Sequence, residues 1–169
     1  MAARIVLGID PGLATLGYGL VSVTPEGARY LEHGCVATRP PAALQERLQQ
    51  LHKELASLCT RYLITDVAME TLFYGRRLHV RGLGEARGVA LLTTTAAGAS
   101  FSEYSPAQVK EAVTGSGGAG KRQVQEMVRL ILALSSIPSP DDAADALAIA
   151  LCHARQLDLQ RLIAVEARR

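Results

Sequence analysis

The sequence has no tryptophan and only two phenylalanines, Phe73 and Phe101, with aromatics at 4% of its 169 residues. A core must then be built from Leu, Val, Ile and Ala, and an exposed phenylalanine would be conspicuous. Long apolar runs are missing too. None approaches the roughly 18 to 20 residues that span a bilayer, and the N-terminus enters a strand-like run without a signal-peptide pattern. The expectation is a cytoplasmic protein with no membrane segment. The three cysteines, Cys35, Cys59 and Cys152, are odd in number and widely spaced. They fit buried thiols in a reducing compartment better than a disulfide framework or a structural zinc site. Charge of one sign is not in excess: 18 Lys and Arg stand against 16 Asp and Glu, a formal +2. That sum announces neither a nucleic-acid binder nor an enzyme for acidic substrates, so the placement of charge has to carry the reading.

At about 150 residues per domain the length predicts one domain, and 49% apolar residues is a globular composition. The first forty residues read as three strands, Arg4 to Asp10, Gly17 to Val23 and Ala28 to Ala37, separated by turns at Gly12 and at Pro25-Glu26-Gly27. Short connections imply an antiparallel meander. Leu44, Leu48, Leu51, Leu55 and Leu58 then step by four and three, one face of a helix lying on a sheet. Ile64 to Glu70 is an apolar run ending in a carboxylate, a buried parallel strand reached by helical crossover. A glycine- and arginine-rich segment, Gly75 to Gly88, leads into a helix ending near Gly98, and Phe101 to Tyr104 reads as a fifth strand. Ser105-Pro106 starts a helix with proline at its first position, Gly115 to Gly120 breaks it, and Lys121 to Leu134 is helical again. Ser139 as N-cap with Pro140 at the first position opens a last helix to about Arg155. The expectation is one α/β domain over residues 1–155, a mixed five-stranded sheet flanked by helices, with 156–169 as a C-terminal tail.

Four carboxylates stand out. Asp10 ends the first strand in Gly8-Ile9-Asp10-Pro11-Gly12, and Glu70 ends Val67-Ala68-Met69-Glu70. An acid beside a hydrophobic core needs a partner, because an unpaired buried charge costs several kcal/mol or is protonated; an Asp in Asp-Pro-Gly can also make only a local turn bond. Asp142 and Asp145 are three apart on one helix face. Asp141 and Asp142 are accounted for by first-turn dipole complementarity, whereas Asp145 is not. If that helix crosses the strand ends, Asp10, Glu70, Asp142 and Asp145 form a cluster that cannot stay ionised without cations. Oxygen-only ligation points to Mg²⁺ or Mn²⁺, and two such ions suit phosphodiester hydrolysis.

Gly8-Ile9-Asp10-Pro11-Gly12, Ala68-Met69-Glu70, Pro106-Ala107-Gln108-Val109-Lys110 and the run Asp142-Ala143-Ala144-Asp145-Ala146-Leu147-Ala148-Ile149-Ala150 occur in an order and spacing that resembles the RuvC family of bacterial crossover junction endodeoxyribonucleases. The resemblance spans about residues 4–155, and the last run is its most specific part. It implies a ribonuclease H-like fold and a homodimer that resolves Holliday junctions by paired symmetric nicks, with RuvA and RuvB as partners. Asp10, Glu70, Asp142 and Asp145 fall on the family's catalytic acids. Phe73 falls on its base-stacking aromatic, and Lys110 and Lys121 on basic residues of binding and catalysis. The loop Tyr74-Gly75-Arg76-Arg77-Leu78-His79 departs from the family pattern.

From Phe73 to Gly88 the chain carries Arg76, Arg77, Arg81 and Arg87 against Glu85. Cations next to an acidic cluster can hold phosphates that the acids repel, and Phe73 and Tyr74 interleave with them as stacking surfaces. A solvated arginine loop and a core Phe73 are the plainer alternatives. Gly115 to Lys121 satisfies Gly-x4-Gly-Lys, but Arg122 replaces Ser or Thr and a helix precedes it, so a loop presenting Lys121 and Arg122 to DNA phosphate is preferred to a nucleotide site. His153 is about two turns beyond Asp145, too far for shared ligation. Two-fold substrate symmetry calls for two active sites, with the helix from about Gly84 to Ala97 as a candidate interface. A non-catalytic junction binder and, less favoured for want of a second lobe, an actin-like phosphotransferase remain as alternatives.

Overall fold

Strand β1 (Arg4–Asp10) alternates in a way that decides the architecture. With period two, Val6, Gly8 and Asp10 face one side of the sheet, and Leu7 and Ile9 face the other. The computed structural model describes residues 3–71 and 82–167. Within them β1 is followed by β2 (Thr15–Thr24) and β3 (Gly27–Ala37), paired as an antiparallel meander. Helix α1 (Leu44–Tyr62) crosses over to β4 (Asp66–Glu70), parallel to β1, and α2 (Leu83–Ala96) crosses to β5 (Ser100–Tyr104), parallel to β4. Helices α3 (Pro106–Thr114), α4 (Lys121–Ile131) and α5 (Asp141–Glu166) complete the chain. The sheet order is β3-β2-β1-β4-β5, the mixed five-stranded sheet expected from the sequence.

Each sheet face has its own core. Leu7, Ile9, Val67 and Met69 pack against Leu51, Leu55 and Leu58 of α1 and Ala86 and Ala90 of α2. Val6, Val21 and Ala68 pack under α5, with α3 and α4 alongside. The leucine stripe lies on the sheet as expected except at its start, where Leu44 is 39% exposed at the first turn of α1. Cys59 and Cys152 are buried and Cys35 is half-buried, all as free thiols.

Helix α5 reaches the sheet by backbone contact. Gly8 and Gly19 are register partners on β1 and β2, and a Cβ built on Gly8 would lie 2.0 Å from the Ala146 carbonyl oxygen. One built on Gly17 would lie 2.1 Å from the Asp142 carbonyl oxygen. The helix side of the contact is equally small, Ala143, Ala144, Ala146 and Ala150, all buried. Its start differs from expectation: Pro140 is the N-cap, Asp141 the first helical residue, and no side-chain cap bond is made. Its end differs more, since the helix continues to Glu166, past Arg155 through the segment expected to be a tail. Leu159, Leu162 and Ile163 are exposed there, and without a buried stripe that segment carries little helical signal.

At the far end of the sheet from Asp10, Asp66 is only 1% exposed and heavily partnered. Arg4 donates to it through Nε (2.7 Å) and Nη2, and Thr65 Oγ1 adds a bond of 2.7 Å. Burial opposes its ionisation, but these partners and His153 hold the carboxyl below its ordinary range. His153 Nε2 lies 3.3 Å from Asp66 Oδ1, and its Nδ1 shares a 2.7 Å hydrogen bond with the Tyr104 hydroxyl. His153 therefore packs as a buried, locally bonded residue. Burial, helped by the Arg4 charge and opposed by Asp66, lowers its pKa below the ordinary 6.5.

Two predictions follow from this packing. Gly8→Ala is expected to destabilise the protein by about 1 to 3 kcal/mol or more, as overpacking does, measured by urea denaturation. For His153 the unfolded chain takes up a proton before the folded one as pH falls through about 6.5, so native stability declines below that pH. His153→Gln should flatten the stability profile between pH 7 and pH 5, and equal slopes for both proteins would contradict the assignment.

Candidate active site

Parallel pairing of β1 and β4, with Ile9 opposite Met69, brings their C-terminal ends level and sets Asp10 beside Glu70. The alternation that sends Val6 and Gly8 toward α5 sends Asp10 there as well, and on β4 it does the same for Ala68 and Glu70. Helix α5 begins over this edge because its first turns rest on Gly17 and Gly8. Asp10, Glu70 and Asp145 consequently line one cleft of about 500 Å³, together with Lys110 and Lys121. Asp142 does not line the cleft, but it is near enough for its charge to act on Asp10.

The electrostatics are those of crowded like charges. Burial, then the charges of Asp145, Asp142 and Glu70, push the Asp10 pKa up to about 7, against the opposing pull of Lys121. Burial likewise raises Asp145, with Lys121 resisting. The Lys121 ammonium lies 3.1 Å from Asp141 Oδ2 and 3.2 Å from Asp145 Oδ2. Partial burial opposes its charge, but these two carboxylates raise its pKa above the ordinary lysine value. Asp141 also accepts from the buried Gln125 Nε2 at 2.9 Å, which ties α4 to α5.

A hard divalent cation suits this donor set, since among the described residues no thiol or imidazole lines the cleft. Among the described residues no three ligating side chains already converge on one ion-sized point; Asp145 is paired with Lys121 instead. The nearby Cys35 thiol is held protonated, raised by burial and by the charge of Asp142.

The remaining expected site residues fall in different places. Lys110 is half-buried on α3, whose start is fixed by a reciprocal cap: Gln108 N donates to Ser105 Oγ (3.2 Å) and Ser105 N to Gln108 Oε1 (2.8 Å). Lys121 and Arg122 are the first residues of α4, not part of a loop, and Arg122 pairs with Glu126 one turn on. The Gly115 to Lys121 segment follows a helix, contrary to a strand-led nucleotide site. Phe73, Tyr74, Arg76, Arg77, His79 and Arg81 lie outside the described residues. Arg87, the described arginine of the basic stretch, pairs its guanidinium with Glu103 and donates to the Glu70 main-chain oxygen. Sequence reasoning also missed Asp141 and Gln125 as supports for Lys121; the signal available, an acid in a first helical turn, had a sufficient local explanation.

Comparison with known proteins agrees with this geometry. The family model "Crossover junction endodeoxyribonuclease RuvC" matches residues 6–153. A crossover junction endodeoxyribonuclease RuvC from Rubrobacter xylanophilus is 48% identical over 152 residues, covering 89% of this chain and 85% of the relative. The RuvC structure from Thermus thermophilus superposes with a TM-score of 0.85 at 38% identity, covering 93% of this chain and 97% of the other. The Thermus thermophilus RuvC complex with a Holliday junction substrate gives 0.84 at 36% identity, over 92% and 96%. Matched through its sheet, its strand-end acids and its α5 run, the chain belongs to the RuvC family of crossover junction endodeoxyribonucleases.

Proposed function

We propose that this chain is a metal-dependent nuclease that resolves Holliday junctions by paired symmetric nicks. The observation that carries the reading is the convergence of Asp10, Glu70 and Asp145 on one cleft with Lys110 and Lys121 beside them. Asp10, Glu70, Asp142 and Asp145 would hold two ions, Mg²⁺ or Mn²⁺, which supply an activated water and stabilise the leaving oxygen when bound. The protein's own part is orientation and charge balance. Asp10 and Glu70 are fixed by the strand ends, and Asp142 and Asp145 by the glycine contact under α5. Lys121 exchanges its carboxylate partners for a phosphate oxygen, and Lys110 steadies the strand entering the cleft. Water adds to phosphorus as one ester P–O bond breaks.

DNA contacts by Phe73, Tyr74, Arg76, Arg77, Arg81 and Arg122 belong to the same proposal, the aromatics stacking on unpaired bases and the cations holding phosphates. The substrate's near-two-fold symmetry supports a homodimer; α2, with Leu92 70% exposed, offers an apolar contact for it. RuvA and RuvB are the proposed partners on family grounds, and the cytoplasm the proposed compartment. No described helix is long and apolar enough to cross a membrane.

The test compares a four-way junction with linear duplex, with and without Mg²⁺ or Mn²⁺. Symmetric nicks in the junction alone, lost on chelation, are expected, whereas intact strands would leave a junction-binding protein without catalysis. Asp145→Asn should slow single-turnover cleavage at least about 100-fold, the scale of losing a transition-state charge stabiliser. Its junction affinity, read by gel shift, should stay within a few-fold of the parent protein, and cleavage that survives the change would overturn the assigned mechanism.

A further inference from the structure

Arg87 is a cation that the chemistry above does not use. It lies early on α2 with its side chain 12% exposed, and it does not line the cleft. Among the described residues its guanidinium bridges Glu70 and Glu103: Nη1 donates to the Glu70 main-chain oxygen at 2.7 Å, and Nη2 pairs with the Glu103 carboxylate of β5. Glu70 is the last residue of β4, paired across to Tyr104. Immediately beyond it the Thr71 amide donates to the Tyr104 oxygen at 2.9 Å. A carboxylate carried on a strand end takes its direction from the backbone beneath it, and here that backbone is held from the face opposite α5.

We propose that Arg87 is a positioning residue, clamping the Glu70 carbonyl to Glu103 and α2 and so fixing the angle at which the Glu70 carboxylate enters the cleft. The inference rests on reading Glu70 as one of the acids of the nuclease site. A planar guanidinium spans both acceptors in a fixed geometry, and an ammonium does not. A cation that meets phosphate only as a point charge, by contrast, tolerates lysine.

The experiment uses the full chain with Arg87→Lys, Arg87→Gln and Glu103→Gln, the last removing the charge that anchors the clamp while leaving Arg87 in place. Mn²⁺ affinity is read by electron paramagnetic resonance titration, junction cleavage by single turnover at saturating protein, and the strand end by hydrogen exchange of the Thr71 amide. Both Arg87 variants should bind Mn²⁺ about 10-fold more weakly and cut about 10- to 100-fold more slowly, the range for removing a group that orients a ligand. Thr71 exchange should speed up, while junction affinity and thermal midpoint stay near those of the parent protein. Glu103→Gln should move the same readouts by less. Full rescue by lysine, with junction affinity lost in Arg87→Gln, would overturn the clamp in favour of a phosphate contact. A lowered thermal midpoint with unchanged Mn²⁺ affinity would overturn it in favour of packing alone. Unchanged Thr71 exchange in Arg87→Lys overturns it without reference to catalysis. A parent protein that neither binds Mn²⁺ nor cuts junctions refutes the nuclease reading separately.

Discussion

The contact between the backbone of α5 and the backbones of β1 and β2 is the constraint on which the rest depends. Gly8, Gly17 and Gly19 remove the side chains that would hold a helix off a sheet, and the alanines of α5 do the same from above. Ordinary side chains at these positions would lift the helix by ångströms, and Asp142 and Asp145 would rise with it. The acids of β1 and β4 reach the same edge through strand alternation alone. The cluster is thus the intersection of two simple periodicities, two along the strands and 3.6 along the helix, brought together by the absence of Cβ atoms.

That crowding has an electrostatic cost which the described residues offset in part. Asp10 is raised to about 7 by burial and by its neighbours, so its carboxyl gives up its proton less readily than an ordinary aspartic acid. Lys121 relieves the crowding locally, shared between Asp141 and Asp145. Strand β4 is held at both ends by guanidinium groups: Arg4 grips Asp66 at its start, and Arg87 grips the Glu70 carbonyl at its finish. The formal +2 of the whole chain conceals this segregation, in which acids gather where cations are needed and many cations are already committed to acids.

Much of this was legible in the sequence because it is periodic or terminal. The leucine spacing of α1, the proline that opens α3, and acids placed at strand ends are local patterns with local causes. Asp145 could be picked out because no cap or helix-dipole role accounted for it, and Asp10 and Glu70 because two acids ending neighbouring strands are harder to explain by local turns than one. What was not legible depends on which face meets which. Arg87 reads as one of four arginines in a basic stretch until α2 is laid on the sheet and Glu103 is found opposite it. Asp141 reads as a helix-dipole acid until α4 brings Lys121 and Gln125 to it. The continuation of α5 past Arg155 was missed because helicity there adds no buried stripe.

The two faces of the sheet share backbone but no side chains, and this divides the freedom of the molecule to vary. Residues of α1 pack against Leu7 and Ile9 rather than around the carboxylates, so changes on that side reach the site only through the strand backbones and through Arg87 of α2. On the α5 side the same substitutions reach the site directly, since a methyl added at Gly8 would meet the backbone of the helix that carries Asp145 into the cleft. A variant library spread evenly over the core would therefore return a sharply uneven answer, permissive beneath α1 and nearly silent beneath α5.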